Sequence, residues 1–141
     1  MLGPRITTDP AELDIDVIHR FLADESAWAR NIPRHIVEES VRHSLNFGLL
    51  IGDAQVGYAR VISDYATFAY LLDVFVLTEH RGQGYSDVLM RAVLDHPRLQ
   101  GLRRFMLFTS NAHGLYEKYG FAPASRPQTM MEMLVPNPYP A

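Results

Sequence analysis

The chain has 141 residues, of which 48% are hydrophobic and 21% charged, a formal net charge of −3 and no cysteine. This length and balance are typical of one globular domain with a real core. The weak acidity argues against a general nucleic-acid binder or a binder of anionic membranes. The missing cysteine excludes disulfides, thiolate metal sites and a cysteine nucleophile, and no apolar run approaches the roughly 18 residues of a membrane span. We expect one cytoplasmic domain over residues 1–141, with its core at about 4–136 and a tail at 137–141.

The N-terminal third is predicted to be mainly helical. Residues 5–8 favour a short strand, and Thr8 or Asp9 can cap a helix that begins near Pro10. Apolar residues at helical spacing continue that helix. A second amphipathic helix is predicted from Pro33.

The pattern then changes to that of strands. Residues 47–51 and 56–62 favour a hairpin, and the almost wholly apolar residues 67–77 favour a central strand buried on both faces. A helix follows a glycine-bearing turn at 81–86. The remaining predicted elements are a strand at 104–109, a short helix at 114–118 and a last strand at 129–135. The order β-α-α-β-β-β-α-β-α-β predicts a mixed α/β single domain.

The turn at 81–86 carries the clearest chemical signal. Glycine allows a close backbone approach and positive φ, and the helix that starts there offers unpaired N–H groups to phosphate. Two glycines alone are also compatible with an ordinary strand-to-helix turn, which is the alternative to a phosphate site. Asp87 stands where a dinucleotide fold needs its third glycine, and the Gly-Lys-Ser/Thr of a phosphate-loop ATPase is absent.

Two motifs give this chain its resemblance to a known family. The segment Arg81-Gly82-Gln83-Gly84-Tyr85-Ser86 resembles the coenzyme A-binding motif of the GNAT superfamily of N-acetyltransferases, Arg/Gln-x-x-Gly-x-Gly/Ala. Residues 111–121, Asn-Ala-His-Gly-Leu-Tyr-Glu-Lys-Tyr-Gly-Phe, resemble the family's Asn…Leu-Tyr-Glu-Lys-x-Gly-Phe segment. Ser86 replaces the usual Gly or Ala, and Asn111 lies about two residues closer to Tyr116 than in the commoner pattern. The resemblance covers nearly the whole chain.

The resemblance implies a fold and a donor. The fold is a mixed, mostly antiparallel sheet, splayed between its fourth and fifth strands, with helices on both faces. The donor is acetyl-coenzyme A, bound without a metal, and one strand N–H would polarise its thioester carbonyl. The residues expected to bind this co-substrate are Val74, Phe75, Val76, Arg81, Gly82, Gln83, Gly84, Tyr85, Ser86 and Asn111.

Two residues are candidates for proton transfer. Tyr116 matches the family's general acid, because a phenol is protonated at neutral pH and can donate to the leaving thiolate. Asp73 stands alone in the most apolar stretch, where burial would raise its pKa towards that of a base. A structural aspartate bonded to a neighbour such as Arg60 is the equal alternative.

The acceptor is expected to be a small-molecule or peptide amine. Trp28, Tyr65 and Tyr70 are the candidate acceptor-binding residues, with core packing as the alternative. His35, Glu39 and His43 share one helix face, but nothing supports a metal there. Neither nucleic acid nor membrane is an expected partner, whereas a homodimer is compatible with the sequence. The rival functions are a silent coenzyme A-binding or sensing module and transfer of another acyl group.

Overall fold

A five-stranded mixed sheet forms the centre of the domain, in the order β1-β2-β3-β4-β5. The structure is a computed structural model that describes residues 3–141. The strands are β1 (Pro4–Thr7), β2 (Leu45–Ile51), β3 (Ala54–Ser63), β4 (Phe68–Val76) and β5 (Arg104–Leu107). Strands β1 to β4 pair antiparallel, and β5 pairs parallel with β4. The predicted mixed, mostly antiparallel sheet is therefore confirmed.

Four α-helices accompany the sheet within residues 3–141. They are α1 (Ile15–Arg20), α2 (Arg34–Arg42), α3 (Tyr85–Asp95) and α4 (His113–Glu117). The prediction that the first helix begins near Pro10 is wrong, since Pro10–Glu12 forms only a 3-10 turn. Helix α1 starts after Asp14, whose side chain accepts from the N–H of Val17 and caps the helix. A π-helical turn at Phe21–Glu25 then continues α1.

Helices cover both faces of the sheet, as predicted. Side chains alternate between the two faces along each strand, so each face has apolar side chains that a helix can bury. On one face, Leu89 and Met90 of α3 are fully buried against a cluster that includes Phe47 and Leu49. On the other face, α1 and α2 bury a second cluster, which consists of Ile18, Phe21, Leu22, Ala23, Ala29, Ile32, Val37, Val41, Tyr58 and Phe75. Burying each large side chain stabilises the fold by about 1.5–3 kcal/mol.

The C-terminal segment departs from expectation. Residues 129–135 were predicted to form a last strand, but Pro127–Thr129 is a 3-10 turn and residues 130–135 have no strand partner among the described residues. A strand needs a neighbouring backbone to complete its hydrogen bonds, and residues 129–135 are exposed to solvent instead. The side chains of Met131 and Met133 are 97% and 102% exposed.

Candidate active site

A cleft opens where β4 and β5 diverge. The two strands pair only from Phe68–Leu71 to Arg104–Leu107, and β4 continues to Val76 without a partner on that side. The register between β3 and β4 shifts by one residue at this point, and Asp73 in the bulge has φ = 55°. A bulge increases the local twist of a strand and here accompanies the splay. The cleft has a volume of about 1090 Å³.

The exposed edge of β4 offers backbone hydrogen-bonding groups to the cleft. The N–H of Leu77 donates to the carbonyl of Val56 at 2.8 Å, so residue 77 faces β3. Because successive residues of a strand face opposite edges, Phe75 also faces β3, whereas Val74 and Val76 face the open side. The carbonyl of Val76 accepts from Nε of Arg81 there, at 2.9 Å. The N–H groups of Val74 and Val76 and the carbonyl of Val74 therefore point into the splay.

The glycine turn at the end of this edge is built to hold an anion. Gly82 and Gly84 have φ of 77° and 81°, a left-handed conformation that costs other residues roughly 1–2 kcal/mol. Gly84 is also the N-cap of α3, and no side chain caps this helix. A Cβ at either glycine would meet no protein atom within 4 Å. Open space and free N–H groups at a helix N-terminus together suit a phosphate.

Tyr116 lies on α4 and lines the same cleft. Burial raises the pKa of its phenol, because an apolar environment disfavours the phenolate. The ring packs edge-on against Phe121, with centroids 6.1 Å apart. A phenol that stays protonated well above neutral pH can act as a proton donor.

The short α4 is tied to the start of α3. The hydroxyl of Tyr119 donates to Oδ1 of Asp87, and Nε of Arg91 contacts Oδ2 of the same carboxylate at 2.9 Å. These two donors hold the pKa of Asp87 below its ordinary value. Tyr119 thus joins the segment that carries Tyr116 to the helix behind the glycine turn.

Asp73 is held by two donors. Nε1 of Trp28 donates to its Oδ1 at 2.8 Å, and Nε of Arg60 donates to its Oδ2 at 2.8 Å. The side chains of Asp73 and Arg60 are only 8% and 12% exposed. Arg60 in turn donates to the hydroxyl of Ser44 at 3.0 Å. This ion pair with Arg60 is the contact expected if Asp73 has a structural role and is not the base.

Most of the residues predicted from sequence meet in the cleft. Trp28, Tyr70 and Asn111 line it together with Asp73 and Tyr116. The remaining lining residues from the predicted co-substrate set are Val74, Phe75, Val76, Arg81, Gly82, Gly84, Tyr85 and Ser86. Gln83 lies in the turn, but its exposed side chain is not part of the lining.

Tyr65, the third candidate for acceptor binding, does not line this cleft. It sits in the turn between β3 and β4, outside the cleft lining. The guanidinium carbon of Arg98 lies 3.6 Å from the centre of its ring, so a cation–π contact occupies this tyrosine instead. The nearby Asp64 holds the same turn by accepting from the N–H groups of Ala66 and Thr67.

Several cleft-lining residues were not predicted from the sequence, among them Phe108 and Glu25. Phe108 follows β5, is 68% exposed and packs edge-on against Tyr70 with centroids 5.7 Å apart. Glu25 ends the π-helical turn and lines the same end of the cleft as Trp28. Phe108 was inside a predicted strand, and only the early end of β5 at Leu107 exposes it.

Residues 3–141 contain neither a candidate metal cluster nor a candidate membrane-spanning helix. No three His, Asp or Glu side chains there are grouped so that they could hold a metal ion. No helix in that part of the chain has the length and apolarity to cross a membrane.

The splayed sheet and the glycine turn are the features that the resemblance to GNAT acetyltransferases implies, and comparisons with known proteins agree. The model of the acetyltransferase (GNAT) family matches residues 15–121, so the chain belongs to this family. A candidate acetyltransferase of Gibberella zeae is 33% identical over 135 residues, 80% of this chain and 75% of that protein.

Solved structures agree with this assignment. The crystal structure of a candidate GNAT-family acetyltransferase from Xanthomonas campestris has a TM-score of 0.97 and 56% identity, covering 100% of this chain and 99% of that one. A GNAT-family acetyltransferase from Streptococcus pneumoniae shares the fold, with a TM-score of 0.72 and 22% identity over 96% of this chain and 98% of its own.

Proposed function

We propose that the protein transfers an acetyl group from acetyl-coenzyme A to a primary amine, by direct attack in a ternary complex. The observation that carries this proposal is the continuity of the cleft. One opening runs from the glycine turn at 81–86, along the free edge of β4, to the ring of Tyr116. The proposal includes the cytoplasmic location expected from the sequence.

Acetyl-coenzyme A is proposed to bind along this cleft. The N–H groups at the start of α3, with Gly82 and Gly84 leaving space above them, suit the pyrophosphate. The free backbone groups of Val74 and Val76 suit the amides of the pantetheine arm, which would add to β4 as an extra strand does. Asn111 lines the opposite wall of the cleft.

The reacting carbonyl is proposed to lie against the N–H of Val74 or Val76. As the amine adds, negative charge develops on the carbonyl oxygen, and a fixed N–H donor there is worth about 3 kcal/mol. The departing coenzyme A thiolate needs a proton, and Tyr116 is proposed to supply it. The raised pKa of this buried phenol keeps the proton available at neutral pH.

Asp73 has two candidate roles in this reaction. As a base it would take the proton of an ammonium acceptor. As a positioning residue it would fix Trp28 at one end of the cleft through the bond to Nε1. The two donors at 2.8 Å, one of them the charged Arg60, favour the positioning role, because each oxygen of the carboxylate already accepts a hydrogen bond from a protein donor. An acceptor ammonium would then lose its proton to water.

The acceptor is proposed to enter between aromatic side chains. Trp28 and Phe108 are 56% and 68% exposed, and Tyr70 packs against Phe108. Together with the carboxylate of Glu25 these rings favour a cationic group, which aromatic faces attract. A small-molecule or peptide amine meets this description.

The test is a screen of amines with acetyl-coenzyme A, in which release of the free thiol reports transfer. Mass spectrometry of the acceptor then shows whether nitrogen or oxygen carries the acetyl group. Wild type should release thiol only with an acceptor, and Tyr116→Phe should be much slower with the same one. If no amine, thiol or alcohol supports release while coenzyme A binds, a coenzyme A-binding or sensing module is the better description.

A further inference from the structure

Asp73 has a backbone conformation that residues other than glycine seldom adopt. Within residues 3–141 it is the one strand residue with a positive φ, 55°. It begins the bulge of β4, where two residues, Asp73 and Val74, lie opposite a single residue of β3. Glycine is the usual residue at a left-handed bulge position, because it has no Cβ to clash with the neighbouring carbonyl. An aspartate at this position needs contacts of its side chain to hold the conformation.

Arg60 supplies the charged contact. Its Nε donates to Oδ2 of Asp73 at 2.8 Å, and the two side chains are close to fully buried. Its Nη1 donates to the hydroxyl of Ser44 at 3.0 Å, and that hydroxyl donates to the carbonyl of Ser40, in the last turn of α2, at 2.6 Å. The planar guanidinium is thus held by β3 and by α2, and it holds the carboxylate in one orientation.

The conformation of Asp73 sets the direction of the N–H of Val74. The peptide group that carries this N–H is planar and begins at the Cα of Asp73, so rotation of Asp73 out of the left-handed region turns the N–H with it. A bulge re-aims the groups that follow it along the strand. Of the two N–H groups that point into the cleft, that of Val74 is therefore the one that depends directly on Asp73.

We propose that Arg60 is a positioning residue for acetyl transfer: through Asp73 it holds the left-handed bulge, which aims the N–H of Val74 at the reacting carbonyl. Arg60 does not line the cleft, so it acts without touching either substrate. This role rests on the proposed function, in which the N–H stabilises the charge on the carbonyl oxygen. Loss of such a donor lowers kcat by about 10²- to 10³-fold. Arg60→Met should show a decrease of that order, with little change in the affinity for acetyl-coenzyme A.

Two double variants separate the bulge from the buried charges. Arg60→Met/Asp73→Gly and Arg60→Met/Asp73→Ala both remove the ion pair and the bond to Trp28, so they differ in how readily residue 73 becomes left-handed. Alanine is the better residue at an ordinary strand position. Here the glycine variant should have a kcat about tenfold or more above that of the alanine variant, as the left-handed preference of glycine implies. Equal kcat values in the folded variants, or a faster alanine variant, would overturn the proposal.

Arg60→Lys provides a kinetic test that does not depend on the folding of the double variants. It keeps a cation beside Asp73, but an ammonium lacks the planar fork that reaches Asp73 and Ser44 together. We expect kcat to fall clearly while titration calorimetry gives a wild-type affinity for acetyl-coenzyme A. An unchanged kcat would overturn the positioning role.

Crystal structures of the two double variants measure the bulge without any turnover. The glycine variant should keep a positive φ at residue 73, and the alanine variant should have a negative φ. A positive φ in both variants would show that the bulge does not need Arg60 and would overturn the proposal. A wild type that acetylates no acceptor would instead overturn the proposed function, and the φ values would still test the hold of Arg60 on the bulge.

Discussion

Replacing Asp73 by asparagine separates a structural carboxylate from a catalytic base. In the structure this carboxylate pairs with Arg60, and both side chains are close to fully buried. Removing one partner of a buried ion pair costs about 3–5 kcal/mol, because the other charge is left uncompensated. Asparagine keeps one acceptor oxygen for Trp28 or Arg60, so we expect Asp73→Asn to lower the free energy of unfolding by about 2–4 kcal/mol. At about 4 °C per kcal/mol for this length, the Tm should fall by about 8–16 °C.

The assay is thermal and urea unfolding near pH 7.5, followed by circular dichroism. Asp53→Asn is the matched control, since Asp53 is an exposed turn residue and should change stability by less than about 0.5 kcal/mol. Arg60→Met, alone and combined with Asp73→Asn, completes a double-mutant cycle. The structure predicts that the two decreases in the free energy of unfolding are strongly non-additive, because both substitutions break the same ion pair between Asp73 and Arg60.

The pH dependence of the reaction rate distinguishes the two roles of Asp73, which the free energy of unfolding alone does not. If Asp73 positions Trp28, the acidic limb of the pH–rate profile should survive in Asp73→Asn, and Trp28→Phe should reproduce much of its kinetic defect. A stability loss under about 1 kcal/mol, together with a missing acidic limb, would refute this reasoning and make Asp73 the base.

Three further outcomes are expected. Tyr116→Phe should lower kcat by about 10²- to 10⁴-fold with little change in the affinity for acetyl-coenzyme A, and equal turnover of both proteins in a thiol-release assay would remove Tyr116 from the mechanism. Gly84→Val should abolish the rise in Tm that coenzyme A gives the wild type, because its Cβ branches would occupy the open space above the N–H groups; an unchanged rise in a folded variant would place the phosphate site elsewhere. The donors Tyr119 and Arg91 lower the pKa of Asp87, so its contribution to stability is present above the unfolded-state pKa of about 3.9 and lost as pH falls through the lower folded-state pKa. Acid titration of Asp87→Asn should show a weaker loss across that range, and identical acid unfolding of both proteins would contradict the assigned bonds.

Much of the fold was readable from local patterns. The apolar run at 67–77 and the glycines at 82 and 84 predicted β4, the turn and α3 nearly as the structure has them. These features depend on neighbours in sequence, namely side-chain alternation, helix-start chemistry and positive φ. The family resemblance added the splay, which no local pattern encodes.

Contacts between distant parts of the chain could not be predicted from the sequence. The bond from Trp28 to Asp73 joins residues 45 apart, and the stacking of Arg98 on Tyr65 draws that tyrosine away from the cleft. The segment 129–135 has a strand composition but pairs with no strand among residues 3–141. A strand is completed by its partner, so composition alone could not show where this one would pair.

Titration calorimetry with acetyl-coenzyme A tests the central claim, that the cleft between β4 and β5 is a donor site. The account predicts saturable heat with one site per chain for wild type and for Tyr116→Phe, and none for Gly84→Val in its folded state. Wild type that releases no heat with millimolar acetyl-coenzyme A, or Gly84→Val that binds it as tightly as wild type, would contradict the account.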